Sequence, residues 1–468
     1  MSNKPALRSP TKLWTRREML CRCGSGLGML ALASLLRDQG LLAAESPLIQ
    51  RPAHSRGSAK SVIWLFMEGG PSGFDLFDPK PELARQHGQP LPGVDPFFGN
   101  PGPLMRSPYS FRQYGESGAW VSEALPAITE CVDDIAFLKA VHCDSNSHAP
   151  AMYQMNTGFT RPGFPSTGSW ITFGLGSENQ NLPGFVVMPK QNGTKGGALN
   201  WGAGFLPGAY QGTLFHAGEN PIPFLKRAEG LTDEQQRAQL ELARFYNGQF
   251  SSKHPDESDL EARIASFELA YKMQFEALEA VDLSKETEET RALYGLDDEP
   301  SRDYGTKLLL ARRLVERGVR FVQAYPNDQW DAHQNLRENH NKMARMTDKP
   351  VAGLLKDLKR RGLLDSTLVI WGGEFGRLPV SEKGDGRDHN PHGFVIWMAG
   401  GGIRGGVSCG ETDELGYKAV ADPVSLPDVH ATILHLLGIN HERLTYKHNG
   451  RSFRLTDVSG SVIQPMIA

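Results

Sequence analysis

The chain has 468 residues, of which 39% are hydrophobic and 22% charged, with 51 glycines and 31 prolines. That balance excludes a chain dominated by disorder, collagen-like repeats or coiled coil, and leaves about three average domains or one large α/β domain. The net charge of −3 hides an asymmetry: residues 1–44 carry seven basic side chains against Glu18 and Asp38, a surplus of five, which leaves −8 for the remainder. An acidic body is a poor nucleic-acid binder.

Thr15-Arg16-Arg17-Glu18-Met19-Leu20 precedes the short apolar run Leu27 to Leu36, and Ala43-Ala44 follows. Twin arginines, a weakly hydrophobic run and small residues read as a twin-arginine export signal over 1–44. The run falls short of the ~20 residues a membrane span needs, and no other segment approaches that length. The expectation is an exported protein, periplasmic or extracellular. Cys21 and Cys23 leave with the signal, so Cys131, Cys143 and Cys409 remain. One disulfide at most can form, and Cys409 is not expected to pair with Cys143.

Residues 45–60 are polar and read as a linker. Ser61 to Met67 is a continuous apolar run that stops at Gly69-Gly70-Pro71-Ser72, the pattern of a strand buried on both faces. Residues 81–118 are rich in Gly and Pro and lack periodicity. Ile135 to Val141 is the next strand, opening into His142, Asp144 and His148. From about 232 to 315 the period becomes helical, which predicts a helical insertion. Strands follow at 319–325, 366–371 and 393–399, with a long helix over 335–360. Alternating strands and helices in one body, 61–468, predict an α/β fold with a mostly parallel central sheet and helices on both faces.

In such a sheet, polar groups at the carboxyl ends of strands mark the site. His148 follows one strand, Asp331 and His333 another, and Glu374 and Arg377 a third; Asp388, His389 and His392 precede the last. Histidines with carboxylates suit a divalent metal such as zinc, manganese or calcium. Spread over several strand ends, they could polarise an ester oxygen and activate water. Solvated loop residues with local hydrogen bonds are the alternative.

Leu364 to Gly376, and Ser425-Leu426-Pro427-Asp428 running through Thr432 to Gly438-Ile439, resemble the alkaline phosphatase/sulfatase superfamily. Gly69 to Ser72 with Phe74-Asp75-Leu76-Phe77-Asp78 resembles its uncharacterised exported branch, the domain of unknown function 1501. The resemblance implies an alkaline phosphatase-like fold and hydrolysis of an anionic sulfate or phosphate ester, of a small molecule or a polysaccharide. Three departures accompany it. His148 stands at the sulfatase nucleophile position, with Met152 where an Arg is usual, which excludes formylglycine chemistry. Met67-Glu68 replaces the first metal-binding Asp, and Glu374-Phe375 replaces the later Asp-His pair. What remains is a metal held by Asp331, His333, Glu374, Asp388, His389 and His392, with a bound hydroxide as nucleophile. His148 would be a ligand or general base, and Arg377 would hold an anionic group. A non-catalytic binding protein on the same fold is the open alternative.

Overall fold

A computed structural model describes residues 48–99, 101–218 and 277–468, with scattered positions between 221 and 273. The export segment, including Arg16 and Arg17, and most of 232–276 lie outside the described residues.

The apolar runs become the strands of one sheet: β1 (Ser61–Phe66), β2 (Ile135–His142), β3 (Phe185–Met188), β4 (Thr213–Leu214), β5 (Phe321–Ala324) and β6 (Thr367–Gly372). Further along lie a small ribbon, β7 (Gly376–Arg377) and β8 (His389–Asn390), and then β9 (Phe394–Ala399), β10 (Ser408–Cys409) and β11 (Val424–Ser425). The sheet runs β10-β2-β9-β6-β1-β5-β3-β4, and β11 also borders β2. Only β9 is antiparallel to its sheet neighbours; every other pairing in the sheet is parallel. The five strands expected from the sequence are all present.

All six residues of β1 are buried, because both faces are covered. Ile63 and Leu65 pack with Leu308 of helix α3 (Glu299–Glu316) and Leu354 of α4 (Leu336–Arg360). Val62, Trp64 and Phe66 share the opposite core with Met152 of α1 (His148–Thr157), Trp170 of α2 (Thr167–Leu175) and Val429 of α5 (Leu426–Leu436). Full burial of such side chains contributes about 1.5–3 kcal/mol each. The start of α5 shows how local sequence fixes an element. Ser425 accepts the Asp428 N–H, Asp428 reaches back to the Ser425 N–H, and Pro427 sits in the first turn. These close a capping box.

Residues 48–60, expected as a linker, lie along the body: Arg51 N–H donates to Leu175 O and Ala59 N–H to Leu436 O, at 2.8 and 2.9 Å. Cys131, Cys143 and Cys409 are all free thiols. Among the described residues no helix is long and apolar enough to cross a membrane.

Candidate metal centre

The carboxyl ends of β6, β1 and β5 lie side by side, that of β2 stands one strand further along beyond β9, and each delivers one part of the site. The loop leaving β1 must pass beneath the loop leaving β5. Gly69, at φ +106°, makes this possible, since a Cβ there would meet the backbone nitrogens of Trp330 and Asp331 at 2.7 and 2.6 Å. β2 ends in the turn to α1, whose first residue is His148. The β5 loop carries Asp331 and His333. The β7–β8 ribbon, in which His389 pairs with Arg377, brings His389 over from the far side.

Four side chains converge. Asp331 Oδ1 lies 2.9 Å from His333 Nε2 and 3.4 Å from His389 Nε2, and Asp331 Oδ2 lies 3.1 Å from His148 Nε2. The two imidazole nitrogens His333 Nε2 and His389 Nε2 are 3.0 Å apart. One donor atom from each of the four residues lies within 4.8 Å of all the others. Donors about 2.0–2.2 Å from one ion stand roughly 3.3 Å apart in a tetrahedron, so the spacing fits a single metal.

The outer ring nitrogens explain why the inner ones are available. His389 Nδ1 is 2.6 Å from the carbonyl oxygen of Asn146, which can only accept, so Nδ1 carries the proton and Nε2 presents a lone pair. His148 Nδ1 faces Glu374 Oε1 at 2.6 Å, and His333 Nδ1 faces Glu382 Oε2. An acceptor behind each imidazole is the usual support of a metal-binding histidine. His148 Nε2 is buried and makes no hydrogen bond. Its contact is Asp331 Oδ2 at 3.1 Å, and once deprotonated it would offer a cation a lone pair beside the nitrogens of His333 and His389.

The electrostatics divide the histidines. Burial, reinforced by the charges of Arg377 and His148, pushes His389 down to about 4, so it stays neutral. Burial opposes charge on Asp331, yet contacts from His148, His333 and His389 and the charge of Arg377 hold its carboxyl far below the usual range. Burial alone would also lower His148, but Asp331 and Glu374 outweigh it and raise its pKa, which favours the protonated ring, so a cation at this nitrogen would have to displace a proton.

The remaining expected residues are placed differently. Glu374 is fully buried behind His148, and its oxygens accept the Gly69 N–H at 2.9 and 3.2 Å. It therefore orients a ligand and stands outside the converging set. Asp388 accepts the N–H groups of His389 and Phe98 and lies 3.9 Å from His333 Nδ1, where it forms a second acidic group with Glu382. His392 points away, its ring edge-on to Tyr417 at 5.4 Å. Arg377 is buried, with its donors on the carbonyls of Gly69, Gly70 and Arg387 and, at 2.7 Å, on Asp331 Oδ1. It positions Asp331.

Sequence reasoning missed four contributors. Lys195 Nζ lies 2.7 Å from Asp331 Oδ2 on a side chain 32% exposed. Glu382 supports His333. Phe97 stacks on His389 at 5.0 Å, and Phe98 meets His333 edge-on at 4.9 Å. Glu68 is buried and neutralised by Lys190 at 2.7 Å. Burial first, then the nearby Glu374, raises its pKa.

A family model described as "Protein of unknown function (DUF1501)" matches residues 59–467. No curated protein matches the sequence. Among solved structures the chain is similar to Ps i-CgsB in complex with k-i-k-neocarrahexaose, at 12% identity, with 82% of this chain and 72% of that chain covered and a TM-score of 0.36. It is similar to the PsFucS1 sulfatase from Pseudoalteromonas sp. at 12% identity, with 88% and 71% covered and a TM-score of 0.33. Alkaline phosphatase from the Antarctic bacterium TAB5 is matched at 10% identity, with 81% and 98% covered and a TM-score of 0.32.

Proposed function

The chain belongs to the DUF1501 family, and we propose that it is a metal-dependent hydrolase of sulfate or phosphate esters, exported through its twin-arginine segment. The observation that carries this reading is the convergence of three Nε2 atoms on Asp331 with every Nδ1 tied to an acceptor. Asp331, His333 and His389 would hold the ion and leave a position open to water, with His148 beside it as a further ligand or general base. A nitrogen-rich set suits zinc or manganese better than calcium, which takes oxygen ligands.

When bound, the ion supplies Lewis-acid polarisation of the ester and a water acidic enough to attack near neutral pH. The residues supply the rest. Asp331, fixed by Arg377, anchors the centre. Glu374, Glu382 and the Asn146 carbonyl hold each proton on Nδ1 and so keep each Nε2 turned inward. Phe97 and Phe98, themselves part-exposed, lie against the rings of His389 and His333. Lys195, part-exposed beside Asp331, can pair with the anionic group of the substrate. Cys143, the nearest thiol on the β2–α1 turn, is pushed up to about 12 by burial and stays a protonated, poor nucleophile.

A second reading has its own support: Lys195 and Arg377 both pair with Asp331, which balances its charge with side chains alone. A binding protein on this fold would need nothing more. Metal analysis of protein purified without chelator, followed by a screen of sulfate and phosphate esters, separates the two. The hydrolase reading expects about one ion per chain and turnover that chelator removes and zinc or manganese restores. Metal-free protein without turnover favours binding alone.

A further inference from the structure

Beside the metal centre runs a groove of about 900 Å³ along the first two turns of α4, and three arginines, Arg106, Arg337 and Arg345, line it. We propose that this groove binds the anionic groups of a polysaccharide whose chain continues past the metal centre; the proposal rests on the reading of that centre as an ester-hydrolysing site. It names the substrate class as a polyanionic glycan carrying sulfate or carboxylate groups at intervals.

The guanidinium groups are the first argument. All three arginines are exposed. Among the described residues Arg106 and Arg345 make no ion pair, and Arg337 has only Glu123 at 3.9 Å. Arginine stays charged at any ordinary pH, so the groove presents three fixed, exposed cations, two of them with no ion-pair partner among the described residues. The planar fork of each matches a sulfate or carboxylate bidentately. Two acids share the groove, Asp385, held in place by the Asn335 N–H at 2.8 Å, and Glu338, so three cations stand against two carboxylates.

Spacing is the second argument. Arg337, Asn341 and Arg345 recur every four residues and share one helix face. At 1.5 Å per residue, Arg337 and Arg345 stand about 12 Å apart along the axis. One compact anion cannot bridge that span, whereas a chain with charges at intervals can. The third argument is continuity. The turn 382–386 separates groove from metal: Glu382 supports His333 on one side, and Asp385 lines the groove on the other. Gly386 lets the turn lie against the β5 loop, since a Cβ there would meet the His333 carbonyl at 2.1 Å.

Nucleic acid is the competing polyanion. It is disfavoured because duplex and single-strand binders neutralise many phosphates, and the groove offers three arginines. The groove also lacks a stacking platform: its aromatic residue, Tyr109, is buried with its hydroxyl on the Arg337 carbonyl and Asn341.

The test is native gel electrophoresis of the full chain in gels containing dextran sulfate, uncharged dextran or single-stranded DNA. Dextran sulfate should retard the protein and uncharged dextran should not. The triple variant Arg106→Gln/Arg337→Gln/Arg345→Gln should weaken that retardation about tenfold or more, with its melting temperature unchanged. Arg112→Gln, exposed outside the groove, should leave it intact. His389→Ala should lose metal yet be retarded as before, so that failure of the hydrolase reading and failure of the groove are seen separately. Wild-type retardation of the triple variant overturns the proposal. Retardation by DNA as strong as by dextran sulfate, and equally lost in the triple variant, overturns it in favour of nucleic acid.

Discussion

Two ion-paired aspartates, Asp357 fully buried and Asp331 nearly so, make the most instructive comparison. Asp357, on α4, is enclosed by Arg312, Arg360 and Arg361 at 3.1, 3.0 and 2.9 Å and by the Tyr294 hydroxyl at 3.1 Å. Its guanidinium partners are permanently protonated. Asp331 is enclosed by three imidazoles, one guanidinium and one ammonium. Both carboxyls stay ionised against the burial that opposes it. The difference lies in what the partners can do next. Guanidinium groups can only donate, so the Asp357 cluster is closed and structural. Imidazoles with their outer protons tied down offer lone pairs, so the Asp331 cluster is open to a cation. Chemistry of the partners, rather than burial of the acid, separates a fold-holding site from a working one.

The largest effect that would break this contrast is at Asp357. Asp357→Ala removes one of three carboxylates around the buried Arg312, which keeps Glu286 and Glu316 at 2.8 Å, and should cost about 1.5–3 kcal/mol of stability, read from urea unfolding, while metal content per folded chain stays unchanged. A loss of metal in that variant would couple the two sites and end the distinction. Next comes the layer behind the imidazoles. Glu374→Gln should lower metal affinity about 10- to 100-fold in a chelator competition with little change in apo-protein stability. Unchanged affinity would detach His148 from the centre.

The third effect isolates an imidazole that has no carboxylate. His430 is fully buried, with one ring nitrogen 2.8 Å from the Met155 carbonyl, and burial pushes it down to about 4. Its folded pKa lies below the 6.5 of the unfolded chain, so the unfolded state takes the proton first. The contribution is complete above about pH 6.5. It is lost by about 1.4 kcal/mol for each unit of pH between 6.5 and 4. Urea midpoints against pH should therefore fall across that window in the parent and flatten in His430→Gln. Identical slopes would mean that the ring titrates normally in the fold.

The strands were legible because runs such as Ser61 to Phe66 are buried on both faces, which forces nearly every residue to be apolar. Phe185–Met188 was not, since four residues after Gly184 carry too little pattern, and its identity as a strand comes from pairing with β5. At the site, His148, Asp331, His333 and His389 could be read as polar residues at strand ends. Glu374 shared that signal, yet the Gly69 N–H and His148 turn its carboxylate backwards. Glu382 and Lys195 carry no local signal at all. They reach the centre only through the 382–386 turn and the loop after β3, and no spacing in the sequence encodes those approaches. The helical expectation over 232–315 is met at Glu288–Leu293 and in α3, the rest lying mostly outside the described residues.

The position of β1 at the centre of the sheet has a consequence for synthesis. Its hydrogen-bonding neighbours are β5 and β6, paired through Val62 with Phe321 and through Ser61 with Thr367. A ribosome adding about 5–20 residues per second needs roughly 13–50 s to make the intervening chain. Through that interval Val62-Ile63-Trp64-Leu65-Phe66, uncharged and strongly strand-forming, has neither edge partner that the finished sheet gives it, the kind of segment that associates between chains. The nascent protein must therefore be sheltered from its own copies for most of its translation, and slower elongation lengthens the exposure.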